Sequence, residues 1–336
     1  MRLLFAIDSL TKGGAERVVV NLACYFRGLG HEVHIAVLFP DLELRNELPG
    51  DIPVHIIRKR GRFDWRVLFK MRDLIRKIKP DLINTHLFTA SLWTKIACIG
   101  NRIPIYVTYH NVLWEEEWYT PFHKMANLLL KRRVKTHIFV GDDVALFFLR
   151  IEDLRGKVVY NGIDVEKYRY NPRREMSRLF FVGRLIERKG VRDLFKIMDR
   201  LGREHTLRIC GHGPLATLVR SKLRPGIEFY PSCDPSAFFS EEGILLLPSY
   251  WEGFALVVLE AFASGMPIIA YRAKGLVNHP LRAYIDFVPR GDIGAFTEKI
   301  RSMAYDREKA EMARHIVEEE FSIVSMGKRY KEIFGI

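Results

Sequence analysis

Two glutamates eight residues apart, Glu252 and Glu260, stand in the stretch YWEGFALVVLEAFASGMPIIA, residues 250 to 270. Leu256 to Leu259 precede the second, and Ala261 to Ala263 follow it. Its carboxylate therefore enters an apolar run, where an unsatisfied charge is costly. A helix opening near Phe254 would leave Glu252 in the loop ahead of it and Glu260 about two turns inside, off any shared stripe. One carboxylate would reach the mouth of a binding site, and the other a deeper, drier place. Vicinal hydroxyls suit such an acceptor, and a ribose offers two. A buried arginine or a backbone amide would satisfy Glu260 as well. Amides around Gly253, Phe254, Ala255 and Leu256, at the positive end of that helix, make an anion site.

Other loops carry compatible chemistry. FFVGRLIERKG ends a strand at Gly183 and supplies Arg184 and Lys189, two cations able to neutralise a diphosphate without a metal. The plain alternative is a pair of solvated loop charges. CGHGP lets backbone approach a ligand at Gly211 and Gly213, and Gly13–Gly14 does so directly before a helix. That pair is not G-x-G-x-x-G, so a dinucleotide fold is disfavoured, and a simple turn would explain it. His110 ends the apolar run IPIYVTYH, where a lone histidine more often packs than reacts. No Asp-x-Asp pair lies at a strand end, and Asp142–Asp143 is differently placed. No metal is expected.

The elements that must hold these loops alternate. RLLFAID, EVHIAVLF, PVHII, DLINTH, IPIYVTYH and THIFVG read as strands with helical patterns between several of them. KVVYNGIDVEKYRYNPRREM, without a clear period, separates them from RLFFVG, TLRICG, IEFY, GILLLPS and PIIAYR. This is the pattern of two parallel sheets covered on both faces, joined near residues 156 to 176. Ligands of open parallel sheets bind beyond the carboxyl ends of the strands. Two such domains would meet across a cleft lined by these loops.

Composition sets the limits. The 336 residues are 48% hydrophobic and 28% charged, which suits one or two soluble globular domains. No apolar run is long enough for a membrane span, and MRLLFAIDSL reads as a first strand rather than a signal segment. Cys24, Cys98, Cys210 and Cys233 are far apart and are expected as separate buried thiols in a reducing cytoplasm. Net charge is +13, densest over residues 58 to 79, and calls for an anionic partner: a phosphorylated substrate, an anionic membrane or nucleic acid. Trp65 and Phe69 lie in a basic amphipathic pattern. Trp114 and Trp118 precede Lys131, Arg132 and Arg133. Aromatic residues beside cations suit contact with an anionic membrane or a lipid-borne acceptor. The alternative is that both helices bury their apolar faces. Nucleic acid is not expected, because no binding motif or stacking series appears.

Taken in order, GGAER, NGID, VGRLIERKG, GHGP and the E-x7-E segment resemble the motifs of the retaining GT-B glycosyltransferases of glycosyltransferase family 4, the glycosyl transferases group 1. The resemblance runs from the first strand to FSIVSMGKRYKEIF, and the E-x7-E segment is its most specific part. It implies an α/β GT-B fold of two Rossmann-like, doubly wound parallel-sheet domains. Residues 1–160 would form the acceptor side and 161–318 the donor-binding domain, with 319–336 a closing helix packed back on the first. It implies a nucleotide-diphosphate sugar as donor, a glycan or lipid-linked acceptor, and no cofactor or metal. Glu260 would bind the donor ribose, Glu252 the transferring sugar, and Arg184 and Lys189 the diphosphate. Backbone at Gly14 and at Phe254 to Leu256 would complete the contacts, with His110 near the transferred sugar. Transfer with retention, by attack on the face from which the diphosphate leaves, would rest on stabilising that leaving group. The implied location is the cytoplasm, at the inner face of the membrane. Ala255 and YRAKGLVNHP depart from the family pattern, and the chain is shorter than many members. An inactive nucleotide-sugar-binding relative, a GT-B phosphorylase, a sugar epimerase and a nucleic-acid-binding protein are the competing readings.

Overall fold

β1 (Arg2–Ile7), β2 (Glu32–Val37), β3 (Val54–Ile56), β4 (Leu82–His86), β5 (Ile105–Tyr109), β6 (Val134–Phe139) and β7 (Gly156–Val158) form a seven-stranded parallel sheet in the computed structural model of the chain. The structure describes residues 1–61, 64–110, 125, 130–172, 175–231 and 233–336. Strand order is β3-β2-β1-β4-β5-β6-β7, so the winding direction reverses between β1 and β4. Central strands are buried on both faces, which is why LLFAI and IYVTY read as continuous apolar runs rather than alternating ones.

This sheet belongs to a unit made of Met1–Gly162 together with Ile323–Ile336. The helix Gly14–Gly28 turns Val18, Val19, Leu22, Ala23 and Phe26 onto one face of the sheet. The helix Ile323–Phe334 joins the same core through Met326, Tyr330 and Phe334. Two hydrogen bonds fix its depth: Tyr106 donates to the Phe334 carbonyl at 3.2 Å, and the Thr108 and Tyr330 hydroxyls meet at 3.2 Å. On the other face, the helix Arg66–Ile78 buries Val67, Met71, Ile75 and Ile78, spaced for one helical stripe.

The second unit, Ile163–Ser322, is one continuous stretch. Its six-stranded parallel sheet has the order β10-β9-β8-β11-β12-β13. These strands are β8 (Arg178–Val182), β9 (Thr206–Cys210), β10 (Ile227–Tyr230), β11 (Ile244–Leu247), β12 (Ile268–Tyr271) and β13 (Asp286–Val288). Here the winding reverses between β8 and β11, the point where open parallel sheets bind ligands. The helix Val191–Leu201 packs Leu194, Ile197, Met198 and Leu201 against this sheet.

The expectation of four separate thiols needs correction. Cys210 and Cys233 are joined in a disulfide with their Cα atoms 6.0 Å apart, whereas Cys24 and Cys98 are not disulfide-bonded. The sequence separation of 23 hid the pairing. Cys210 ends β9 opposite Tyr230 of β10, and the chain beyond Tyr230 brings Cys233 within reach. The alternative in which the aromatic helices bury an apolar face is met at the first of them, but through Val67, Met71, Ile75 and Ile78 and not through its aromatic residues. Trp65 and Phe69 are each 62% exposed, because the buried stripe runs through Val67 and Met71 instead. Trp114 and Trp118 lie outside the described residues.

Candidate active site

At the reversal point of the second sheet, the loop after β8 meets the loop after β11. Lys189 lies in the short helical turn Glu187–Lys189, and Glu252 lies four residues after Pro248. Lys189 Nζ is 2.6 Å from both Glu252 carboxylate oxygens, and Ser249 donates to Oε1 at 2.7 Å. Both charged side chains are shielded, at 16% and 6% exposure. Desolvation of such a pair is offset only by close geometry and further hydrogen bonds, and Ser249 supplies one. Glu252 is thus no residue of an open mouth, as its loop position had led us to expect; it is as buried as Glu260.

Backbone packing explains how two loops far apart in sequence hold this distance. Gly190 has φ +68°, and a Cβ there would lie 1.9 Å from the Pro248 carbonyl oxygen. Only glycine serves at that contact. Across the sheet, Gly211 has φ +152°, and a Cβ there would lie 1.9 Å from the Gly183 carbonyl oxygen. Leu185 N–H donates to the His212 carbonyl at 2.7 Å, so VGRL and CGHG lie backbone against backbone. Arg184 is exposed beside them, and Gly213 approaches Leu185 in the same way.

The stretch that departs from the family pattern supports the Glu252 loop from the other side. Glu252 N–H donates to the Lys274 carbonyl at 3.0 Å, and Trp251 bridges to Lys274. Phe254 stacks on buried His279 with ring centroids 4.8 Å apart. Gly253 and Phe254 form a bend, so the helix is Leu256–Ala263 and begins two residues later than expected. Glu260 therefore stands one turn inside it, buried among Val258, Leu259, Ala261 and Phe262. Ala255 is buried, and the leading amides are those of Leu256 and Val257.

A carboxylate that sequence reasoning missed stabilises the same corner. Asp193, on the first turn of the helix Val191–Leu201, accepts from Tyr250 at 2.6 Å, Tyr271 at 3.2 Å and Lys196 at 2.8 Å. The negative Asp193 pushes the Tyr250 hydroxyl up to about 12. The signal for Asp193 was available only as an acidic residue in a helical first turn, which is common.

The first unit holds the remaining candidates. Gly13 and Gly14 open the helix Gly14–Gly28, but the Glu16 carboxylate stands over Gly13, where a Cβ would meet it at 2.2 Å. His110 follows β5 and is 6% exposed; burial drives its imidazole down to about 3. Asp8, at the end of β1, accepts from Ala90 N–H at 2.7 Å, and burial raises its carboxyl to about 6. Arg133 is held inside the unit by the carbonyls of Cys98, Asn101 and Ile103 and by the Asn101 side chain. Arg132 is exposed and Lys131 half-buried. Among the described residues, no cluster of three or more His, Cys, Asp or Glu is placed to hold a metal ion. None of their helices is long and apolar enough to cross a membrane.

Comparison with known proteins agrees with this fold. Residues 12–167 match Glycosyltransferase Family 4, and residues 177–306 match Glycosyl transferases group 1. The capsular polysaccharide biosynthesis glycosyltransferase CapM of Staphylococcus aureus is 24% identical over 333 residues, 87% of this chain and 85% of that protein. A glycogen synthase of Mycobacterium tuberculosis is 30% identical over 165 residues, 44% of this chain, so the chain spans 40% of that relative's length. HepE of Anabaena, solved with UDP and glucose, superposes with a TM-score of 0.83 at 20% identity, over 100% of this chain and 99% of HepE. WaaG, a glycosyltransferase of lipopolysaccharide biosynthesis, superposes at 0.76 and 14% identity, over 98% of this chain and 99% of WaaG. Both superpositions extend over two doubly wound sheets of the GT-B fold. The chain belongs to glycosyltransferase family 4, the glycosyl transferases group 1.

Proposed function

We propose that the protein moves a sugar from a nucleoside-diphosphate sugar to an acceptor hydroxyl in the making of a polysaccharide or lipid-linked glycan. The observation that carries this reading is the Lys189–Glu252 pair at the reversal point of the second sheet, flanked by the amide end of Leu256–Ala263. A diphosphate arriving there meets one exposed cation in Arg184 and a second in Lys189, which can exchange Glu252 for phosphate oxygens. Glu252 is then released to accept hydroxyls of the transferring sugar. Charge that develops on the leaving diphosphate is stabilised by these cations and by helix-end amides, without a metal. The acceptor attacks from the side on which the diphosphate leaves, so the anomeric configuration is retained. HepE, captured with UDP-glucose, and CapM, named for capsular polysaccharide, support the donor class and the product class respectively.

The first test is a mass-spectrometric panel of UDP-, GDP- and ADP-sugars, each with and without EDTA, scored for slow hydrolysis by the purified protein. Cleavage of one donor, insensitive to EDTA, is expected. Failure of every donor to be cleaved or to shift thermal stability would overturn the donor assignment. Glu260 is assigned to the donor ribose. Glu260→Ala is expected to weaken donor affinity by roughly 10- to 100-fold, the worth of charge-assisted hydrogen bonds. Calorimetry showing an unchanged Kd would remove it from the ribose.

Trp65 and Phe69, one helical turn apart and 62% exposed beside Arg66, Arg76 and Lys77, support peripheral contact with an anionic membrane on its cytoplasmic side. Sedimentation with phosphatidylglycerol vesicles should fall sharply for Trp65→Ser/Phe69→Ser. Equal binding by the double variant would place the contact elsewhere.

A further inference from the structure

Asn84 and His86 share one side of β4, two residues apart, and lie beside Tyr106 and Thr108 of β5. Their hydrogen bonds settle where each proton sits. Asn84 Nδ2 is 3.2 Å from the Tyr106 carbonyl oxygen and 3.1 Å from Thr108 Oγ1. A carbonyl can only accept, so this end of the amide is the NH2 group, and Asn84 Oδ1 faces His86 Nε2 at 2.7 Å. An amide oxygen can only accept too. His86 therefore carries a proton on Nε2.

The next link follows by the same rule. His86 is wholly buried, and burial holds its imidazole neutral, well below the ordinary histidine range. A neutral ring with its proton on Nε2 has a bare Nδ1. That atom lies 2.8 Å from His110 Nε2, which must then be the donor. His110 is neutral for the same reason, so its own Nδ1 is a bare lone pair. It is sealed from water, and no donor among the described residues reaches it. A buried acceptor left without a donor costs about 1–3 kcal/mol, and such atoms in native structures call for an explanation.

We propose that Asn84 and His86 are positioning residues that lock His110 in its Nε2–H form, so that Nδ1 meets the ligand as a hydrogen-bond acceptor for a hydroxyl group. His110, held neutral, then supplies no cation for the diphosphate. A phosphate, carboxylate or ether oxygen placed there would confront one lone pair with another, whereas a sugar hydroxyl supplies the missing proton. The relay is anchored at its far end, where Thr108 Oγ1, which receives the Asn84 amide, is also bonded to Tyr330 OH. The assignment of the ligand hydroxyl to a sugar rests on the function proposed above; the tautomer does not.

Long-range proton–nitrogen correlation spectra of the full chain labelled with 15N-histidine read the tautomer directly, with His110 assigned from the spectrum of His110→Gln. Wild type should show His110 with a protonated Nε2 and a bare Nδ1 at pH 7. His86→Gln should keep that pattern, because a side-chain amide can both donate to Asn84 and accept from His110. His86→Leu should mix or invert it. Nucleotide-sugar turnover should fall roughly tenfold in His86→Leu, the worth of one hydrogen bond, and recover in His86→Gln. A wild-type His110 protonated on Nδ1 overturns the relay, as does an unchanged tautomer in folded His86→Leu. If that variant does not fold, wild type and His86→Gln decide. The expected tautomer in a protein that turns over no nucleotide sugar upholds the relay and removes only the sugar assignment.

Discussion

Lys189→Ala is expected to lower nucleotide-sugar turnover by about 10²- to 10³-fold, the range for losing one preorganised charge stabiliser. The same substitution should destabilise the second unit by roughly 3 kcal/mol, because Glu252 is left buried with only Ser249 as partner. The low end of the range for broken buried pairs applies, since Lys189 keeps 16% exposure and water can enter. A double variant separates the two effects. Lys189→Ala with Glu252→Gln removes the stranded charge and should regain most of the stability while turnover stays low. Near-normal turnover by Lys189→Ala would remove it from the leaving-group site. Full loss of stability in the double variant would mean that the pair holds the loops by shape rather than charge.

The second large effect is acid sensitivity of the first unit. His86 and His110 are buried there and His137 is half-buried, and desolvation lowers each imidazole, to about 3 for His110 and about 4 for His137. Each folded value lies below the unfolded one, so the unfolded chain takes up more protons once pH drops below about 6.5. Their contribution to stability is present above 6.5 and is lost as pH falls toward the folded values. Asp8 acts oppositely. Its carboxyl, raised to about 6, favours folding more as pH falls from 6 toward 3.8. His31 and His55 of the same unit are lowered as well, so the histidines outweigh the one carboxyl and stability falls between about pH 6 and 5. Urea midpoints followed by near-ultraviolet circular dichroism should fall steeply over that interval. A flat profile would show that the rings are already protonated or exposed in solution. Asp8→Asn should steepen the fall by removing the opposing term.

Much of this architecture is legible in the residues. Eleven apolar runs read from the sequence correspond to strands β1–β6 and β8–β12, because central parallel strands are buried on both faces and leave long apolar words. The two strands that went unread, β7 and β13, are three residues long and lie at sheet edges. GKV and DFV carry too little apolar pattern to stand out. The loop chemistry was legible for a related reason: glycines, cations and carboxylates at strand ends have few structural uses at such density. Their pairing was not. That Glu252 meets Lys189 depends on Gly190 touching the Pro248 carbonyl, a contact between backbones that no side-chain type announces. The same holds for Cys210 with Cys233 and for Asn84 with His86 and His110. Each required knowing which strands are neighbours and in what register.

The route of the chain has a consequence for its synthesis. Residues 163 to 322 form a continuous unit, whereas the first unit draws Met326, Tyr330 and Phe334 into its core. Although its sheet emerges from the ribosome first, that core lacks three of its large side chains until residue 334 has been added. The later-made unit is thus the first to have all its parts. The earlier one must wait with the apolar faces of Phe26 and Tyr106 uncovered, which is when a chaperone or a neighbouring nascent chain would find them.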